Sequence, residues 1–231
     1  MKSKVIIALD FPNKDETMKF LEELKGEELF VKVGMELFYS EGPSIIREIK
    51  KQGHKIFLDL KLHDIPNTVK SAMKTLSDLD IDMVNVHAAG TVKMMEAAVE
   101  GLTREDGSRP MLIAVTQLTS TDQERLENDI LINDKLENVV IKYAQNAKKA
   151  GLDGVVCSPL EASMIHENCG DEFITVTPGV RFEDSALGDQ VRVTTPSKAK
   201  ELGSDYIVVG RPITKADNKK SAYQRCVDEF Q

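Results

Sequence analysis

Short apolar, β-branched runs recur along the chain. They are Lys4–Asp10 (KVIIALD), Leu29–Met35 (LFVKVGM), Lys55–Leu62 (KIFLDLKL), Met83–Ala88 (MVNVHA), Met111–Leu118 (MLIAVTQL), Gly154–Ser158 (GVVCS), Phe173–Pro178 (FITVTP) and Tyr206–Gly210 (YIVVG). Runs of this length, bounded by turn residues, predict eight strands. Between them the apolar positions fall at helical spacing, over Lys14–Leu24, Pro43–Gln52, Pro66–Leu79, Thr91–Glu100, Asp134–Ala150, Leu160–Asn168, Pro196–Leu202 and Asp217–Phe230. Ser44–Lys51, for example, puts Ile45, Ile46 and Ile49 on one face and its charges elsewhere. Thr195-Pro196 is a helix start, and Gly53, Gly151 and Gly203 stand where helices stop. Strand and helix alternate eight times at about 29 residues per unit, which predicts a parallel α/β sheet closed into a (β/α)8 TIM barrel. The expected organisation is a single barrel domain over residues 1–231, since no low-complexity segment or Pro/Gly-rich linker divides the chain. An open doubly wound sheet is the alternative arrangement of the same elements.

Strands buried on both faces of a parallel sheet should be apolar throughout, so charges inside them carry information. Asp10 ends the first run, Lys32 lies within the second, Asp59 and Lys61 lie within the third, and Asp64 follows it. Side chains alternate along a strand. Asp59 and Lys61 therefore share one face of FLDLKL, and Leu58, Leu60 and Leu62 share the other. The same parity groups Ile6, Ala8 and Asp10, and then Phe30, Lys32 and Gly34. Three neighbouring strands thus send Asp, Lys and Asp-Lys to one face near their C-terminal ends, where barrel enzymes keep their active sites. A structural ion-pair network closing the barrel mouth is the plainer reading, because buried charges must pair in any case.

A lysine flanked by two carboxylates is held protonated, which makes it a proton donor rather than a resting base. Carboxylates also repel an anionic group placed beside them. Both properties suit a decarboxylation in which lysine protonates the carbanion, although other proton transfers fit the same residues. Asp64 has a competing role, because Asp64-Ile65-Pro66-Asn67-Thr68 reads as a helix start and an acid there complements the helix dipole.

A phosphate site is expected in the loops after the last two strands. Pro178-Gly179-Val180-Arg181 and Gly210-Arg211-Pro212 follow those strands, with glycines that admit an anion and arginines that offer forked donors. Ordinary loop chemistry explains the same residues. The polar stretch Arg181–Val193, which holds Gly188 and Gln190, has the character of a loop that closes over a ligand. His54, His63, His87 and His166 show no metal-ligand spacing. His87 either lines the pocket or is a hydrogen-bonded structural histidine. Thr116-Gln117-Leu118-Thr119-Ser120 closes the fifth run with hydroxyls able to meet a polar ring. Asp122–Asp129 is a solvated loop or helix, and methionines such as Met94 and Met95 fit core filler.

Composition narrows the partners. Lys and Arg number 30 against 38 Asp and Glu, a net charge of −8, which argues against a nucleic-acid-binding face. No apolar stretch is long enough to span a membrane, and the N-terminus has no signal-peptide pattern. The three cysteines, Cys157, Cys169 and Cys226, form neither a disulfide framework nor a zinc motif, so a reduced cytoplasmic chain is expected.

Phe57–Thr68 (FLDLKLHDIPNT) resembles the signature of orotidine 5′-phosphate decarboxylases. The resemblance runs from Ala8-Leu9-Asp10 through Val31-Lys32-Val33-Gly34 to Val209-Gly210-Arg211-Pro212, essentially the whole chain, in the short bacterial form. It implies a (β/α)8 homodimer that converts orotidine 5′-monophosphate to uridine 5′-monophosphate (UMP), the last step of de novo pyrimidine synthesis, without metal or cofactor. By position it implies that Lys61 protonates C6 of the ring and that Asp59 lies beside the substrate carboxylate and orients Lys61. Asp64 would come from the partner subunit, with Ile65 and Thr68 also reaching across. Lys32 and Asp10 would hold the ribose hydroxyls, and Thr119 and Ser120 would lie near the base, with the assignment open by one residue. Gln190 would bridge base and phosphate from the closing loop, and Arg181, Gly210 and Arg211 would hold the phosphate. The related magnesium-dependent 3-keto-L-gulonate 6-phosphate decarboxylases and hexulose-phosphate synthases carry a glutamate where this chain has Lys32, which disfavours both. A phosphate-ligand-binding barrel without catalysis is the remaining alternative.

Overall fold

In a computed structural model, residues 4–183 and 194–231 are described. The strands are β1 (Val5–Ala8), β2 (Phe30–Gly34), β3 (Lys55–Leu62), β4 (Met83–His87), β5 (Met111–Val115), β6 (Gly154–Val156), β7 (Ile174–Thr177) and β8 (Tyr206–Val209). All pair in parallel, each with the next, and β1 pairs with β8 (Ile6 opposite Val208), so the sheet is a closed barrel. Closure rules out the open doubly wound sheet.

The helices are α1 (Lys14–Glu23), α2 (Met35–Glu41), α3 (Pro43–Lys51), α4 (Pro66–Ser77), α5 (Thr91–Leu102), α6 (Gln123–Asn128), α7 (Leu136–Lys149), α8 (Ala162–Cys169), α9 (Pro196–Glu201), α10 (Arg211–Thr214) and α11 (Lys219–Phe230). Their starts follow local chemistry. Asn13, Asp122 and Asn218 accept backbone N–H groups at the first turns of α1, α6 and α11. Thr195 accepts from Lys198 N at 3.2 Å, with Pro196 next to it, as the Thr-Pro pair predicts.

Apolar side chains occupy two separate places. Residues at one parity of each strand, such as Val5, Ile7, Val31, Val33, Ile56 and Leu58, pack outward against the helices. Residues at the other parity, Ile6, Ala8, Phe30, Phe57, Met83, Ile113, Val176 and Val208, fill the barrel interior. This plug closes the barrel below the next inward positions, which are polar on the first four strands: Asp10, Lys32, Asp59 and Asn85. The fold thus sets a layer of charge on an apolar floor, at the C-terminal ends of the strands.

Candidate active site

The charged layer is one continuous chain of alternating sign. Lys32 Nζ lies 3.2 Å from Asp10 Oδ1 and 3.4 Å from Asp59 Oδ2. Lys61 Nζ donates to the other oxygen of Asp59 at 2.7 Å. Burial alone would push the Lys32 ammonium down, but the charges of Asp59 and then Asp10 outweigh it and leave Lys32 above the ordinary lysine value. Burial likewise opposes ionisation of Asp59. The charges of Lys32 and Lys61, with hydrogen bonds from Lys61 and Asn85, overcome it and hold the carboxyl below its usual range. A lone carboxylate at this depth would cost several kcal/mol; two flanking lysines remove that penalty.

The register explains how Lys61 reaches Asp59. β3 and β4 pair at Leu58↔Val84 and resume at Leu62↔Val86, so three residues of β3 face the single residue Asn85 of β4. Lys61 takes a φ of 52°, in the left-handed region. Its N–H donates to Asn85 Oδ1 at 2.8 Å, and Asn85 Nδ2 donates to Asp59 Oδ1 at 2.7 Å. The leucines of β3 still face the helices, while Asp59 and Lys61 face the barrel mouth, as alternation predicts. The bulge between them is not an alternation feature.

Two cavities meet over this layer. One, about 160 Å³, is lined by Lys32, Phe57, Asp59, Lys61, Val115, Gln117, Leu118, Thr119, Val156, Cys157, Pro178 and Val208. The other, about 440 Å³, is lined by Ala8, Asp10, Lys32, Pro178–Arg181, Val208, Gly210, Arg211 and Lys215. Lys32, Pro178 and Val208 belong to both, so a ligand can span from the reacting end to the Gly-Arg loops. Gly179 has a φ of 83°, a conformation that glycine adopts without strain, and Arg181 beside it is buried. Val180, which lines this cavity, pairs with Thr194. A cavity of about 620 Å³ lies beside β3, against Phe38, Tyr39, Leu60, Leu62 and Leu76, with Lys61 and His63 also in its lining. It is mostly apolar and holds none of the carboxylates or arginines described above.

The remaining candidates are distributed as follows. Thr119 lines the smaller cavity, whereas Ser120 is exposed and absent from its lining. Asp64, Ile65 and Thr68 are all exposed, and the Asp64 carboxylate accepts the N–H of Ile65 at 2.6 Å. Asp64 forms no ion pair among the described residues, so it is not brought to Lys61 of its own chain. Gln190 lies outside the described residues. The ring of His87 stands 5.8 Å from that of His63, and burial with the nearby charges of His63 and Lys61 lowers its basicity. Among the described residues no group of three or more His, Cys, Asp or Glu is placed to hold a metal ion. Sequence reasoning missed Asn85 and Lys215. The signal for Asn85 was its inward parity with Met83 and His87, a polar residue in a strand position that an apolar one would fill.

Residues 3–226 match the model of the orotidine 5′-phosphate decarboxylase / HUMPS family. The chain is 59% identical over 234 aligned residues to an orotidine 5′-phosphate decarboxylase of Bacillus cytotoxicus, covering 100% of this chain and 98% of the relative. It is 58% identical, with the same coverage, to one of Bacillus cereus. Among solved structures, the orotidine 5′-phosphate decarboxylase of Lactobacillus acidophilus superposes with a TM-score of 0.88 at 45% identity over the full length of both chains.

Proposed function

The chain belongs to the orotidine 5′-phosphate decarboxylase / HUMPS family, and from that premise we propose that its chemistry runs on the charge chain Asp10–Lys32–Asp59–Lys61. The enzyme is a carboxy-lyase of pyrimidine biosynthesis that converts orotidine 5′-monophosphate to UMP and carbon dioxide. The observation that carries the residue roles is the Lys61–Asp59 contact of 2.7 Å, at the meeting of a small pocket with a larger, arginine-lined one.

The phosphate binds Arg181, Arg211 and the Gly179 and Gly210 backbone. Asp10 and Lys32 take the ribose hydroxyls, and Thr119 faces the base. The substrate carboxylate then lies beside Asp59, where like charges repel. As the C6–carboxylate bond breaks, its electron pair stays on C6, carbon dioxide departs, and Lys61 Nζ delivers a proton to C6. Lys61 regains its proton from water. The fixed ammonium stabilises the developing carbanion, and binding energy from the phosphate offsets the repulsion at the reacting end. Enzymes lower barriers by about 8–23 kcal/mol, and an unstabilised vinyl carbanion demands the upper part of that range. No step in this scheme calls for a metal or organic cofactor.

A homodimer completes the site in this reading. Asp64 is exposed and forms no ion pair with its own Lys61, and Ile65 beside it is 67% exposed, which fits a segment that reaches into a second copy. Three buried cysteines that form no disulfide fit a reducing compartment, the cytoplasm. No helix among the described residues is long and apolar enough to cross a membrane.

The direct test is ultraviolet absorbance on orotidine 5′-monophosphate in excess EDTA, with Lys61→Ala in parallel. Turnover in chelator by the wild type, and UMP binding without turnover by the variant, are expected. No turnover by folded wild type, or turnover only with magnesium, would overturn the reading.

A further inference from the structure

Asn85 has no task in the scheme above, yet it is fully buried at the centre of the charged layer. It projects inward from β4, where its partner across the ladder on β5 is the apolar Ile113. An amide at such depth must have both ends satisfied, or it destabilises the barrel. Both are satisfied by the reacting pair: Oδ1 accepts the Lys61 N–H at 2.8 Å, and Nδ2 donates to Asp59 Oδ1 at 2.7 Å. Only this orientation of the amide works. Reversed, it would set oxygen against carboxylate and NH2 against N–H.

The first bond answers a backbone problem. Lys61 holds a φ of 52° inside a strand, and the ladder to β4 skips from Leu58 to Leu62. The Asn85 side chain replaces the strand partner that the Lys61 amide lacks. The second bond answers a side-chain problem, because Asp59 Oδ1 is also the oxygen that receives Lys61 Nζ. One side chain therefore fixes the lysine at its main chain and, through Asp59, at its ammonium.

We propose that Asn85 is a positioning residue for the decarboxylation, holding Lys61 in its left-handed backbone conformation and Asp59 at the angle that aims the Lys61 ammonium at the reacting carbon. The proposal rests on the reading of Lys61 as the proton donor. It gives Asn85 no contact with the phosphate cavity, so binding and chemistry should separate.

Asn85→Ala and the nearly isosteric Asn85→Asp test it. Both are measured for kcat and KM on orotidine 5′-monophosphate, for UMP affinity by calorimetry, and for melting temperature. A misaimed group costs up to about 100-fold, so kcat of Asn85→Ala should fall about 10- to 100-fold while KM and UMP affinity stay near wild type. Asn85→Asp has a distinctive pH signature. Its carboxyl would face Asp59, with Lys32 on β2, Lys61 on β3 and His87 on β4 as the other ionisable groups around Asp59. Two carboxyls in contact favour sharing one proton, and a protonated Asp at position 85 can again donate to Asp59. Activity of Asn85→Asp relative to wild type should therefore rise as pH falls, whereas that of Asn85→Ala should not.

If Asn85→Ala does not fold, Asn85→Asp carries the test alone through its pH profile. Wild-type kcat at neutral pH in either variant would overturn the proposal. So would a kcat loss matched by equal losses of UMP affinity and melting temperature, with Asn85→Asp flat against pH; Asn85 would then be filler. Absence of turnover in the wild type would instead sink the decarboxylase reading, and this proposal with it.

Discussion

Asp59 is the residue on which the site's electrostatics turn, because among the described residues it alone pairs with both Lys32 and Lys61. Its carboxyl sits below the ordinary 3.8, so its ionised form contributes stability above that value and loses it as pH falls through the folded-state value. Lys32 sits above the ordinary 10.5, so its contribution is complete below 10.5 and is lost as pH rises through the raised value. Removing one partner of a buried pair costs about 3–5 kcal/mol, so Asp59→Asn should be destabilised by that order at neutral pH. Urea unfolding of both proteins between about pH 3 and about pH 7 measures this. The gap between them should narrow toward the acid end; a gap constant with pH would show that the charge of Asp59 is not what stabilises. At this scale the sequence was legible wherever a charge broke an apolar strand, as at Asp10, Lys32, Asp59 and Lys61. It was not legible at Asn85, whose importance lies in two hydrogen bonds to another strand rather than in its own charge.

At the scale of elements, apolar runs located all eight strands, and the bounds of β3, Lys55–Leu62, are those that the run predicts. The eight helices expected are present with ends displaced by up to two residues or so, as at α7, where the first turn begins at Leu136 rather than Asp134. α2 and α10 were not anticipated. They are short segments following Gly34 and Gly210, and packing against the barrel, rather than periodicity over so few residues, decides them. The bulge in β3 was hidden for a similar reason, since alternation assumes an unbroken ladder and the break depends on the neighbouring strand. The α4–α5 contact is a second case of close fit. A Cβ on Gly101 of α5 would lie 2.2 Å from the Lys70 carbonyl oxygen of α4, so the helices touch backbone to backbone. Gly101→Ala should push them apart and cost about 1–3 kcal/mol, read as a lower urea midpoint. Because α4 begins directly after Asp64 and Ile65, kcat should drop as well. Unchanged stability would mean that the helices separate freely.

For the whole molecule, the question is whether two copies share each site. Lys61→Ala and Asp64→Asn should each be nearly inactive alone. If Asp64 serves the partner, a mixed dimer has one site with both defects and one with neither. Equal mixing, with exchange of subunits, should then restore about a quarter of wild-type activity. No recovery after verified exchange would place Asp64 in its own subunit's site. The closed ring also sets a timetable for synthesis. The charges of the reacting half are all in place by residue 64, but the arginines of the phosphate half come at 181 and 211, and β8, which seals the ring against β1, ends at Val209. A nascent chain therefore carries its costliest residues earliest and can neither enclose them nor hold substrate over them until its final strand emerges. Activity on the ribosome should be all-or-none, with no partial enzyme preceding the complete barrel.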